Sequence, residues 1–136
     1  MRNNGGVMSG NENLWAFDDL ANRVIDGTLD TVRQEYASRH PDYLVEVSLR
    51  PSRGSDHCLL RIQHRSPTKP LNGGAFAVRD VRGSDTVRVE QSFSWLSNGM
   101  PTVETLSFAE VTSDSIAVRA RSFAETFFQT VPNTAS

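Results

Sequence analysis

The sequence predicts an α+β domain: an N-terminal helix, an antiparallel meander sheet of about five strands, and a C-terminal helix packed on that sheet. Three observations predict it. Apolar residues recur at three-to-four spacing near the two ends of the chain, over 13–39 and again over 113–131. Between those stretches, short runs alternate apolar and polar residues with period two, separated by Gly, Pro, Asn and Asp. No strand–helix–strand unit occurs, so a parallel nucleotide-binding sheet is excluded, and short connections force antiparallel neighbours.

In the first helix Leu14, Phe17, Leu20, Ala21, Val24, Ile25, Thr28, Val32 and Tyr36 share one face. Asn13 is the expected N-cap, and Asp18 and Asp19 suit the positive end of the macrodipole. Gly27 interrupts the helix and is expected to mark a kink or a close contact. Arg39 and His40 place cations at the C-terminal end, and Pro41 stops the helix.

Tyr43, Val45, Val47 and Leu49 then alternate with Leu44, Glu46, Ser48 and Arg50 in a first strand. A loop containing Gly54 follows. In the second strand Cys58, Leu60, Ile62 and His64 oppose Leu59, Arg61, Gln63 and Arg65. Asn72-Gly73-Gly74 reads as a turn, 75–81 as a poorly alternating third strand, and Arg82-Gly83-Ser84-Asp85 as a tight reversal. The fourth strand alternates most clearly, with Val87, Val89, Gln91, Phe93 and Trp95 against Arg88, Glu90, Ser92 and Ser94. Asn98-Gly99 supplies a hairpin turn. The fifth strand, about 102–110, carries Leu106 and Phe108 on one face and Val103, Thr105 and Ser107 on the other. In the second helix Ser113 is the expected N-cap. Ile116, Ala120, Phe123, Phe127 and Val131 form its apolar stripe, widened by Ala117, Ala124 and Phe128, and Pro132 ends it. Residues 1–11 read as a disordered tail, 12–131 as a single domain and 132–136 as a frayed end.

The chain has 136 residues, 38% hydrophobic and 22% charged, with a net charge of -2. That is one domain with enough apolar content for a core without staples. No apolar run is long enough for a membrane span. With no apolar leader after Arg2 and a single cysteine, Cys58, a cytoplasmic location is expected. All but one of the 14 basic residues are Arg, which suggests a GC-rich genome, bacterial or phage. The middle segment, 41–91, is mildly basic and both flanks are mildly acidic. That asymmetry is far below the basic excess of a nucleic-acid domain.

Candidate chemistry is sparse. Ser55-Asp56-His57-Cys58 gathers a nucleophile, a base and an acid, but adjacent strand residues point to opposite faces, so they do not converge. Cys58 shares its register with Leu60 and Ile62 and is expected in the core. His40, His57 and His64 have no metal-ligand spacing, and no cofactor or metal is expected. The two Arg-Gly-Ser-Asp tetrapeptides are explained by turn chemistry.

The expected function is therefore a non-catalytic protein-binding domain, acting as a homodimer or as a subunit of a complex. Small bacterial partner-binding proteins, among them secretion chaperones and immunity proteins, have this size and helix–sheet mix. The candidate partner-binding residues are Arg50, Arg61, Arg65 and Arg88, whose planar forks suit carboxylates, together with Leu44, Leu59 and Phe128, apolar residues predicted outside the core. The alternative is a small-ligand or enzymatic domain with a curved sheet, cystatin-like or steroid-isomerase-like. Asp80 would then be a general base in a pocket with Trp95 and Phe108.

Overall fold

A computed structural model describes residues 16–48, 57–66, 68, 72–81, 83–95 and 102–132. Helix α1 is described from residue 16 and runs to Arg39. Five strands follow: β1 (Tyr43–Ser48), β2 (His57–His64), β3 (Gly73–Asp80), β4 (Thr86–Phe93) and β5 (Thr102–Ser107). A single 3-10 turn, Phe108–Glu110, leads into α2 (Ser113–Thr130). The strands form one antiparallel sheet in chain order, β1-β2-β3-β4-β5. The expected α+β meander with a helix before and after it is the fold of this protein.

α1 does not keep regular α geometry. Residues Ala21–Ile25 form a π-turn, and regular helix resumes at Asp26–Arg39. The buried residues explain it. Phe17, Ala21, Ile25 and Leu29 are all fully buried, yet they are spaced by four. In a regular helix each step of four overshoots one face by about 40°. The wider π-turn absorbs that drift, so all four residues, then Val32 and Tyr36, stay on the core side. Gly27 is not closely approached, since a Cβ there would meet nothing within 4 Å.

Both helices cover the same sheet face. From the sheet, Val45, Cys58, Leu60, Ile62, Phe76, Val78, Val87, Val89 and Leu106 enter the core; from α2, Ile116, Ala120, Phe123, Ala124 and Phe127. Each large side chain so buried contributes about 1.5–3 kcal/mol. α1 and α2 also meet directly. The Tyr36 hydroxyl donates to Glu125 and the Arg121 guanidinium to Glu35.

The structure moves several element boundaries. The third strand begins at Gly73, so Gly73 and Gly74 belong to the ladder rather than to a turn. Gly74 faces the helices, where a Cβ would lie 3.0 Å from Phe127 Cδ2 and 3.0 Å from the Ser92 carbonyl oxygen. The two aromatic rings of α2 need that gap. The fifth strand ends at Ser107, and Phe108 opens the 3-10 turn, because Glu110 folds back to accept from the Ser107 amide at 2.7 Å. The N-cap of α2 is Thr112, not Ser113. The Thr112 hydroxyl accepts from the Ser115 amide while Ser115 Oγ accepts from the Thr112 amide, a reciprocal pair that an N-cap Ser113 would forgo. The reversal before β4 is tight as expected, with Gly83 at φ 85. Asn98-Gly99 lies outside the described residues.

Candidate functional site

With both helices on one side, no element among the described residues covers the opposite sheet face. The strand register assembles it in rows. Leu44, Gln63 and Gly73 form one row and Glu46, Arg61, Ala75 and Ser92 the next. Then come Ser48, Leu59, Ala77, Glu90 and Val103, and finally His57, Arg79, Arg88 and Thr105. The outward residues of the central strand are thus Gly73, Ala75 and Ala77, ending in Arg79. Side chains on β2 and β4 stand on either side of this small-residue file. The result is an open cleft of about 380 Å³, bounded by Arg61, Gln63, Ser92 and Ser94 over Gly73 and Ala75.

The apolar part of the face is real but modest. Leu44 and Leu59 are half-buried, and Val103, at 45% exposure, is one of two large apolar side chains exposed among the described residues. The charged part is unevenly paired. Arg79 Nε donates to Glu90 Oε1 at 2.9 Å, and Arg88 Nη2 lies 3.2 Å from Glu90 Oε2. Two guanidiniums therefore share one carboxylate. Arg61 Nη2 stands 3.6 Å from Glu46 Oε1, too far for a strong hydrogen bond.

Of the expected partner-binding residues, Arg61, Arg88, Leu44 and Leu59 come together on this face. Arg65 sits beyond the end of β2 and its Nε donates to the Pro41 carbonyl. Phe128 belongs to the other layer: its ring stacks on His40 at 3.6 Å between centroids and meets Tyr43 edge-on. Its half-burial follows from the helix, because Phe127 takes the core position and Phe128 is turned about 100° from it. Arg50 lies outside the described residues.

The residues of the alternative pocket are dispersed. Asp80 ends β3 opposite Val87, half-buried. Trp95 packs edge-on against Phe127 at 5.0 Å, and Phe108 rests against the core from the 3-10 turn. None of the three lines the sheet-face cleft or the second cleft, of about 400 Å³, between the helices. The cations of that second cleft are each matched to an acid, Arg23 to Asp19 at 2.7 Å and Arg121 to Glu35 at 3.1 Å. Cys58 is fully buried, His57 and His64 point to opposite sheet faces, and no metal-binding group of His, Cys, Asp and Glu occurs among the described residues. No described helix is long and apolar enough to cross a membrane.

Titration shifts lie on the helix side. Burial, then the Glu125 bond, pushes the Tyr36 phenol up to about 12. Burial, then Arg39, holds His40 below its usual value. The Arg119 hydrogen bonds lower Glu104 and in turn raise Arg119, tying β5 to α2.

Gly73, Ala75 and Ala77 are not among the site residues expected from the sequence. Their signal is the period-two run of small residues through Gly73-Gly74-Ala75-Phe76-Ala77-Val78, which poor hydrophobic alternation obscures. No family model, curated protein or solved structure matches the chain.

Proposed function

We propose that this chain is a small non-catalytic protein-binding domain that docks its partner on the sheet face opposite the helices, as a homodimer or as a subunit of a complex. The observation that carries the reading is the placement of both helices on one face. The other face keeps an open cleft floored by Gly73 and Ala75 and bounded by Arg61, Gln63, Ser92 and Ser94, and the same face carries Leu44, Leu59 and Val103. The space between sheet and helices is filled by Phe76, Phe123 and Phe127, all fully buried, which favours a binding surface over an internal ligand pocket. A cytoplasmic setting and a bacterial or phage source are part of the same proposal.

The test is to compare the tagged protein with its Ala75→Tyr variant, which fills the cleft from an outward, half-buried position of the strand. A partner captured stoichiometrically from the host by the parent protein, or a dimer mass in light scattering, is expected to disappear in the variant while thermal unfolding is unchanged. A monomer whose captured proteins are the same with and without the substitution would overturn the reading.

A further inference from the structure

We infer that the occupant of the sheet-face cleft is an acidic segment of another protein, presenting an apolar side chain to Gly73 and Ala75 in the cleft and a carboxylate to Arg79 and Arg88 beyond it. The inference rests on the protein-binding reading of this face and adds the chemistry of the partner.

Shape gives the apolar half. β2 and β4 flank β3 at about 10 Å from one another, so removing side-chain bulk from β3 leaves room for one file of foreign side chains. The floor is Gly73 and Ala75, both apolar and partly exposed, whereas Ala77, 4% exposed, is closed over by its neighbours and marks the end of the cleft toward Arg79.

Charge gives the acidic half. Arg79 and Arg88 are direct cross-strand partners, an arrangement that like charges make unfavourable. Glu90 answers both, one oxygen to each, and its side chain is only 17% exposed. Its two oxygens are thus engaged, while both guanidiniums keep further N–H donors at 43% and 50% side-chain exposure. A second carboxylate would relieve the repulsion and accept from those donors. Arg79 follows Ala75 by four residues and Gly73 by six, which sets the acid and the apolar group about 14–20 Å apart in the partner.

The same charges disfavour the other occupants. Among the described residues the face sets Arg61, Arg79 and Arg88 against Glu46 and Glu90. A symmetric second copy would bring two such cationic faces together. A nucleic acid strand would need aromatic platforms, and Phe76, Phe93 and Trp95 are packed with the helix residues Phe123 and Phe127 instead.

The experiment is a random-peptide display selection on the immobilised protein, followed by titration of the recovered peptides against the parent, Arg88→Ser and Ala75→Tyr. Arg88→Ser leaves the Arg79–Glu90 pair one to one, so an unchanged urea midpoint is the control for folding. The recovered peptides are expected to pair Asp or Glu with an apolar residue and to lose affinity on the order of fivefold with Arg88→Ser. Ala75→Tyr is expected to abolish binding. Peptides without acids that ignore Arg88→Ser but are blocked by Ala75→Tyr overturn the acidic partner and leave the face. Failure to recover peptides, or recovery of peptides indifferent to Ala75→Tyr, overturns both. A dimer mass that Ala75→Tyr reduces to monomer assigns the face to a second copy, and tighter binding of a single-stranded oligothymidine assigns it to nucleic acid; either overturns the inference.

Discussion

Gly73 and Gly74 are adjacent in one strand, and replacing each by Ala should move stability in opposite directions. At Gly74 the new methyl would meet Phe127 Cδ2 and the Ser92 carbonyl oxygen at 3.0 Å, and Phe123 Cε1 at 3.3 Å. The rings can shift a little, but the carbonyl belongs to the β3–β4 ladder. Overpacking of this kind costs about 1–3 kcal/mol. Stiffening the unfolded chain returns about 0.4–1 kcal/mol, so Gly74→Ala should destabilise by about 1–2 kcal/mol. At Gly73 the nearest atom is the Ile62 carbonyl oxygen at 3.4 Å, an ordinary contact, and only the gain from the unfolded state remains. With a urea m-value of about 2 kcal/mol/M, the two midpoints should separate by roughly 1 M. Adding Phe127→Leu should shrink the cost of Gly74→Ala by about 0.5 kcal/mol or more, because one of the crowding atoms is removed. Midpoints that move together, or a cost at Gly74 indifferent to residue 127, would refute the close approach of α2 to β3.

Other expectations follow from contacts between the layers. Thr112→Ala removes the N-cap of α2 and should cost about 1 kcal/mol in urea unfolding, while Ser113→Ala should be close to neutral. Arg119→Ala frees Glu104 and should speed amide hydrogen exchange in β5 with a global loss of no more than about 1 kcal/mol. His40, facing Phe128, Tyr36, Arg39 and Glu125, has its folded pKa lowered, so the unfolded chain takes up the proton more readily. Its contribution is complete above about pH 6.5 and is lost as pH falls below that toward the lowered folded value; His40→Asn should flatten this part of the stability profile. Tyr36 runs the other way: its raised pKa favours the neutral phenol, so stability is full below about pH 10 and lost as pH rises through about 12. Burial, then Asp42, raises Tyr43 as well, so tyrosinate absorbance should rise late for both tyrosines.

The fold was largely legible because both periodicities are strong where they matter. Val87, Val89 and Phe93 against Arg88, Glu90 and Ser92 mark one face of β4, and the sheet uses that division. Two things hid from sequence reasoning. The π-turn of α1 leaves no propensity signal, and it shows only in the repeated spacing of four from Phe17 to Leu29. The start of β3 was masked because Asn-Gly-Gly is a strong turn signal, and the reason Gly74 stands in a strand is a pair of rings more than 45 residues away in sequence. Of the candidate site, the Arg and Leu residues could be placed by parity, whereas the gap between them could not. It consists of side chains that are missing, and hydrophobic patterning gives Gly and Ala little weight.

The covering of the sheet also orders events on the ribosome. Every strand pairs with its sequence neighbour, so hairpins can form within about 10 μs of emerging. The helix that shields their apolar side comes last: roughly 34 residues separate Phe93 from Phe127, a delay of about 2–7 s at ordinary rates of synthesis. For those seconds the nascent sheet would hold Phe76, Val78, Val87 and Val89 toward water on the side that α2 later closes. Translation speed through the α2 codons would then set how long a holdase has to recognise the unfinished chain, and a slow stretch there should lower soluble yield without changing a single residue.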